Sequence, residues 1–261
     1  MTRRRYWSEF RANEFADIDP ARTIAILPTA AIEQHGPHLP VGVDALINEG
    51  MLGLLAKSAP ADLDFRILPL QAIGKSNEHL HAPGTITLPW KIALEAWIEI
   101  GLSVARAGVR KIVLVNSHGG NLDLVSILSR ELRVRARMLA IKCQWMAFGT
   151  PEGMFAEHER RFGIHGGDVE TSLMRYLHPA LVDMERARNF RSTAELGALP
   201  PIGPVSYGWI STDLNPDGVV GDAAAATAAK GEATAKHQVA GFVNLLEEVR
   251  AFDLSAFDPQ P

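Results

Sequence analysis

The sequence predicts an α/β protein, a three-layer α/β/α sandwich with a largely parallel central sheet, in a single domain over residues 1–261. Three observations carry this. The runs Thr23-Ile24-Ala25-Ile26-Leu27, Lys111-Ile112-Val113-Leu114-Val115-Asn116 and Met138-Leu139-Ala140-Ile141-Lys142-Cys143 are almost continuously apolar, as strands buried on both faces are. Helical stretches separate these runs, so successive strands connect by right-handed crossovers and lie parallel. A chain of 261 residues with 47% hydrophobic content can also bury a substantial core. No internal repeat or linker divides it.

Taken in order, the first strand ends in a loop where Gly36, Pro37, Pro40 and Gly42 let the backbone turn. A helix is expected over residues 45–58, with Leu46, Leu54 and Leu55 among its apolar positions and Pro60 just past its end. A short strand follows at 65–70, then a longer helix at 90–107 closed by Gly108 as a left-handed cap. Residues 111–116 are the clearest buried strand, 121–137 the next helix and 138–143 the next strand. Residues 189–216, rich in Pro and Gly, form a long functional loop or edge structure. The Ala-rich stretch 222–252 is a C-terminal helix, interrupted near Gly231.

Composition narrows the partners. Net charge is −4, and Arg3-Arg4-Arg5 is followed by Tyr6-Trp7 and acidic residues, so a solvated terminus is expected there and no nucleic-acid arm. No run is long enough to span a bilayer and none resembles a signal-peptide core, which leads us to expect a soluble, unexported protein with no membrane partner. The single Cys143 cannot form an intrachain disulfide; it is expected as a buried strand thiol in a reducing cytoplasm. The charged run Glu157-His158-Glu159-Arg160-Arg161 reads as a solvated helix face.

The chemistry is concentrated in a few loops. Glu33, His35 and Asp44 leave the first strand together, and residues two apart in an extended segment point the same way. Carboxylates and imidazole without thiolate suit borderline divalent ions such as Zn²⁺, Mn²⁺ or Fe²⁺. Asp44 is equally placed to cap the helix behind it, and His35 to pack in a turn. His118 follows the 111–116 strand, where open α/β sheets place ligands, although a tight turn with an exposed His fits the same residues. The pair Gly119-Gly120 lacks the Lys and Ser/Thr of a phosphate-binding loop. Glu170 sits at a helix start, where carboxylates are favoured in any case. His38, His158, His178 and His237 read as surface, turn or packing residues, and His81 is as readily structural as functional.

The stretch Glu33-Gln34-His35-Gly36-Pro37-His38-Leu39-Pro40, with Asp44 behind it, resembles the first signature of the creatininase (creatinine amidohydrolase) family. Three later stretches resemble the same family: Glu78-His79 through Pro83-Gly84-Thr85, Asn116-Ser117-His118-Gly119-Gly120-Asn121, and His165-Gly166-Gly167-Asp168-Val169-Glu170-Thr171-Ser172. Weaker agreement comes from Gly218-Val219-Val220-Gly221-Asp222 and from Ala226-Thr227 before Lys230-Gly231.

The resemblance implies a metal-dependent amidohydrolase that cleaves a C–N bond of a small, cyclic amide. It implies the ligands Glu33, His35, Asp44, His118 and Glu170, with Asp44 bridging two divalent ions. Glu33 and His118 would serve one ion, His35 and Glu170 the other. Five ligands exceed the three of a single catalytic zinc, and two ions roughly 3.5–4 Å apart can hold a hydroxide nucleophile and polarise a carbonyl. The resemblance puts Ser76, His79 and Gly119 at the substrate, and from the Glu170 loop His165 or Asp168 would move a proton to the leaving nitrogen.

One departure matters. Creatininases proper carry a Tyr-Glu pair where this chain has Gly119-Gly120, so the missing carboxylate must come from elsewhere, and Glu170 is the natural substitute. Alternatives within hydrolases are a formamide hydrolase like the formylaminopyrimidine deformylases and a peptidase like the mycofactocin maturation enzyme. A metal-binding scaffold without turnover is the alternative outside them. The family further implies a closed homo-oligomer, often a hexamer, and the Pro/Gly-rich segment around Ser206-Tyr207-Gly208-Trp209 is expected to serve an interface or pocket wall.

Overall fold

The computed structural model describes residues 4–257. Strand β1 (Ile24–Thr29) lies between β2 (Phe65–Ile67) and β3 (Lys111–Asn116), and β4 (Leu139–Gln144) pairs with the far side of β3. All three pairings are parallel, giving the order β2-β1-β3-β4. A separate antiparallel ribbon joins β5 (Asn189–Phe190) and β6 (Gly221–Asp222). The helices are α1 (Val43–Ser58), α2 (Trp90–Arg106), α3 (Leu122–Ala136), α4 (Glu157–Phe162), α5 (Asp168–Leu177), α6 (Ser211–Leu214) and α7 (Ala228–Ala251).

Every residue of β1 and β3 is buried, and alternate side chains enter opposite cores. Ile24, Ile26, Val113 and Val115 pack with α1, α5 and α7; Ala25, Leu27, Ile112 and Leu114 pack with α2 and α3. This is the expected three-layer sandwich.

Register positions the loops. Thr29 pairs with Asn116, so β1 and β3 end level at the carboxyl edge. The Thr29 hydroxyl donates to Asn116 Oδ1 at 3.0 Å. Asn48 of α1, fully buried, donates to Thr29 O at 3.1 Å and Val115 O at 3.3 Å, and accepts from Trp145 Nε1 at 3.0 Å. The loops that follow β1 and β3 therefore leave side by side. At the opposite edge the buried Lys111 Nζ donates to Arg250 O and Phe252 O, both at 2.8 Å, and so caps the end of α7 with a cation.

Several boundaries differ from expectation. Helix α1 starts at Val43, which puts Asp44 inside the first turn; the N-cap Gly42 has no side-chain bond, so Asp44 is not a cap. Strand β2 stops at Ile67 because Pro69 brings no N–H, and pairing with β1 resumes at Gln71. Gly108 closes α2 at φ +92°, as expected. Helix α7 is unbroken at Gly231: a Cβ there would lie 1.9 Å from Ser172 O, so the glycine serves a close crossing with α5.

Of the N-terminal arginines, Arg5 departs from the expected solvated terminus. Arg3 lies outside the described residues, and Arg4 pairs with Glu14 at the surface. Arg5 is buried, its guanidinium 4.1 Å over the Phe65 ring and donating to the carbonyls of Leu63 and Pro60. Glu159 is also not on a solvated face. It is buried, and its two oxygens accept from Asp168 N and Asp222 N, each at 2.7 Å. Residues 189–216 hold β5, a 3₁₀ helix at Thr193–Leu196, α6 and turns, with Trp209 Nε1 donating to Pro201 O at 2.8 Å. Among the described residues no helix is long and apolar enough to cross a membrane.

Candidate functional site

Two loops and two helix starts converge at the carboxyl edge of β1 and β3. They bring together Glu33, His35, Asp44 and His118, all buried, and the partly exposed Glu170. His118 Nε2 lies 2.9 Å from Lys75 O, and a carbonyl can only accept, so Nε2 carries the proton. Its Nδ1 then faces Glu33 Oε1 and Asp44 Oδ2, each 3.2 Å away. His35 repeats the pattern. Its Nδ1 donates to Glu33 O at 3.0 Å, leaving Nε2 at 3.5 Å from Asp44 Oδ1 and 3.9 Å from Glu170 Oε2. His35 Nε2 and Asp44 Oδ2 have no hydrogen-bond partner, so the 3.2 Å approach of His118 to Asp44 is proximity without an aligned bond.

Lone-pair nitrogens facing carboxylate oxygens repel unless a cation lies between them. The orphaned atoms and the N/O donor set therefore fit borderline divalent metal ions, with each imidazole oriented by a carbonyl behind it.

Without a cation, protons take its place. Burial disfavours a charged His118, yet Glu33 and Asp44 lift it well above an ordinary imidazole. His35 rises to about 9 against the same burial, through Asp44 first and then Glu170. Burial also opposes ionisation of Glu33, but His118 holds it at about 2, and Asp44 is held at about 2 by the two imidazoles in the same way. Glu170 goes the other way: burial, opposed by the His35 charge and reinforced by Asp44, pushes it up to about 7.

A second set of groups holds these in place. Ser76 Oγ donates to Glu33 Oε2 at 2.5 Å, and Asn116 Nδ2 to His118 O at 2.5 Å. Ser76 is fully buried and stands behind Glu33. Glu78, which sequence reasoning gave no role of its own, puts Oε1 3.5 Å from His118 Nε2 and its other oxygen 2.7 Å from Lys75 Nζ. A Cβ at Gly120 would fall 2.2 Å from Glu78 Oε1 and 2.4 Å from His118 Nε2, so no carboxylate can be restored there without displacing both. Gly119 is exposed, with nothing within 4 Å of where its Cβ would be.

His165 Nε2 donates to Gln34 O at 2.7 Å, and its Nδ1 stands 3.6 Å from Glu33 Oε1. Its ring lies 4.1 Å from that of His35 and 4.4 Å from that of His79. Burial, then the His35 charge, depress its pKa well below the ordinary value, which keeps it neutral. His79 Nδ1 accepts from Gln34 Nε2 at 2.9 Å, and His79 and His165 line a crevice with Trp209 and Ser211.

Asp168 does not join the cluster. Its oxygens accept from Ser172 Oγ at 3.0 Å and Lys230 Nζ at 2.5 Å, so the carboxylate anchors α5 to α7. Glu170 Oε2 accepts from Gly166 N at 2.6 Å, so it serves the helix start as well as facing His35. His38 is buried, stacked on Phe190 and bonded to Gly166 O at 3.1 Å, a packing residue as expected.

The fold and this cluster define a class: a three-layer α/β protein with a metal-competent centre at the carboxyl edge of its sheet. The sequence matches the creatininase family, described as creatinine amidohydrolase, over residues 8–246, and the chain belongs to that family. It is 30% identical over 213 residues to the mycofactocin precursor peptide peptidase of Mycolicibacterium smegmatis, covering 80% of this chain and 78% of that protein. It is 30% identical over 195 residues to the creatinine amidohydrolase of Pseudomonas putida, covering 69% and 72% respectively. A mutant creatininase structure of Zn-Zn type superposes with a TM-score of 0.74 at 25% identity, over 94% of this chain and 98% of that one. The protein is a creatininase-family hydrolase.

Proposed function

We propose that the protein hydrolyses the C–N bond of a small, cyclic amide, using two divalent ions per chain drawn from zinc, manganese and iron. The observation that carries this is Asp44, which turns Oδ2 to His118 and Oδ1 to His35 and so is placed to be shared. Glu33 and His118 complete one site; His35 and Glu170 complete the other. An amidohydrolase and a peptidase among the relatives support the bond type.

Divalent ions held there would supply charge to polarise a carbonyl and to acidify water near neutral pH. The chain's own residues do the rest. Ser76 fixes the Glu33 carboxylate, and Lys75 O and Asn116 fix His118. Neutral His165 takes a proton at Nδ1 and passes it to the leaving nitrogen. Asp168 holds Lys230 and Ser172, steadying the turn that carries Glu170. His79 and the open backbone at Gly119 border the substrate.

Peptide cleavage is the second reading. The Mycolicibacterium smegmatis peptidase among the relatives favours it. We place the protein in the cytoplasm, where Cys143 stays reduced, and in a closed homo-oligomer.

The test is elemental analysis of protein saturated with each metal, with product analysis on a panel of cyclic amides, formamides and short peptides. Two ions per chain and turnover of a cyclic amide are expected. Glu170→Gln should lose one ion and orders of magnitude in turnover while melting normally. Saturation at one ion, or near-normal turnover in that variant with two ions bound, rejects the shared-Asp44 arrangement. Turnover confined to peptides selects the second reading, and none at all leaves a metal-binding scaffold.

A further inference from the structure

The segment 75–79, which ends in a 3₁₀ turn at Asn77–His79, is pinned beside the turn that follows β3. Lys75 N donates to Asn121 Oδ1 at 3.0 Å, and Ser76 N to Thr87 Oγ1 at 2.7 Å. From this frame the segment reaches two of the cluster's donors. Ser76 Oγ and His79 Nε2 approach Glu33, at 2.5 and 3.5 Å; Lys75 O and Glu78 Oε1 approach His118 Nε2, at 2.9 and 3.5 Å. Glu33 and His118 are the pair assigned above to one ion. His35 has the Glu33 carbonyl behind its Nδ1 and, among the described residues, no carboxylate in ion-pair range there.

Glu78 stands apart within this segment. It is buried, and its Oε2 accepts from Lys75 Nζ at 2.7 Å. The His118 N–H already goes to Lys75 O, so Glu78 Oε1 acts on the ring as a charge and not as its hydrogen-bond acceptor. Fastening the turn alone would be met by an ion pair left in water, whereas burial strips a carboxylate of hydration. Room for that oxygen exists because residue 120 is glycine: a Cβ there would lie 2.2 Å from Glu78 Oε1 and 2.4 Å from His118 Nε2. Gly120 is not among the residues with positive φ, so space and not backbone conformation calls for glycine.

We propose that Glu78 is a positioning residue of the metal centre: through the space left by Gly120 its carboxylate backs His118 and strengthens the hold on the ion that Glu33 and His118 share. The inference rests on the two-ion reading above. A negative charge behind a metal-bound imidazole makes the ring a better donor and fixes its orientation, and outer partners of this kind are worth about 10–100-fold in metal affinity. Lys75 moderates that charge from the other oxygen. The His35 ion has no such support, so the two ions are held unequally.

Zn²⁺ is titrated against a chromogenic chelator at fixed pH for wild type, Glu78→Gln and Lys75→Met. Each is also carried on His35→Ala and on His118→Ala, which retain one site apiece. Glu78→Gln keeps the shape of the side chain and removes its charge. On the His35→Ala background it is expected to weaken Zn²⁺ about 10–100-fold, and on His118→Ala to change nothing. Lys75→Met keeps the carboxylate and is expected to hold the His118 ion at least as tightly as wild type. Where a double variant fails to fold, the wild-type background carries the test: Glu78→Gln lowers one of the two affinities there and leaves the other.

Glu78→Gln weakening both sites alike, or neither, overturns the proposal. So does Lys75→Met weakening the His118 site as much as Glu78→Gln, which would mark the pair as a fastening of the turn only. The titrations need no turnover, which separates the two claims. A wild type that takes up a single ion, weakened by Glu78→Gln, rejects the two-ion reading and keeps the role of Glu78. Two ions indifferent to Glu78→Gln reject that role alone, and no ion bound rejects both.

Discussion

His35 and His118 hold protons near neutrality because the carboxylates around them, confined away from water, need positive charge. A divalent ion must displace those protons, so binding releases them and apparent metal affinity rises with pH. The sign follows from the direction of the shifts. His35 lies at about 9, above the ordinary 6.5, so over the window between those values the metal-free site binds a proton that the loaded site does not. We expect calorimetric titrations at pH 7.5, in two buffers of different ionisation enthalpy, to report release of roughly one or more protons per chain, with weaker binding at pH 6.5. Identical apparent enthalpies in both buffers would show the imidazoles to be neutral beforehand. The candidate donors themselves were legible, since Glu33, His35 and His118 sit in loops that follow strands and Asp44 opens the helix behind the first of them. The pairing of Asp168 with Lys230 was not legible, because Lys230 belongs to a helix 62 positions on and nothing local announces it.

At the level of elements, α5 depends on Glu159, which gathers the N–H groups of Asp168 and Asp222 and thereby joins α4, α5 and β6. Glu159→Ala would leave both donors buried and unsatisfied, each at about 1–3 kcal/mol. We expect urea denaturation to report a loss of about 2–6 kcal/mol, together with weaker metal binding. A loss under about 0.5 kcal/mol would mean that water or a shifted backbone satisfies those groups. Strands and helices were legible to within a few residues because buried strands and helical stripes leave periodic traces. The run around Glu159 left the wrong trace: alternating charges over one short helix look solvated until β6, supplied from far along the chain, covers them.

Across the whole molecule, the segment that follows β5 exposes Leu196, Leu199, Ile202 and Val205, with Leu196 92% accessible. Apolar side chains gathered on one exposed segment mark a protein interface more often than free surface. Light scattering at micromolar concentration is expected to give a closed homo-oligomer, and Leu199→Asp with Val205→Asp to dissociate it; a monomeric wild type would contradict this. Fold class was legible from the sequence, whereas the order β2-β1-β3-β4 was not, since crossover handedness leaves open which neighbour each parallel strand takes.

Strand β3 fastens Lys111 under the end of α7 at one tip and, through Asn116, steadies the His118 carbonyl at the other. Five strand rises separate the two, about 16 Å. The strand acts as a gauge block. A slip of one position would turn each of its side chains to the opposite core, pull the ammonium from its two carbonyls and carry His118 out of reach of Asp44, all in one step. Gradual misalignment is therefore not available to this protein: the sheet is set to length, or the donor cluster does not exist.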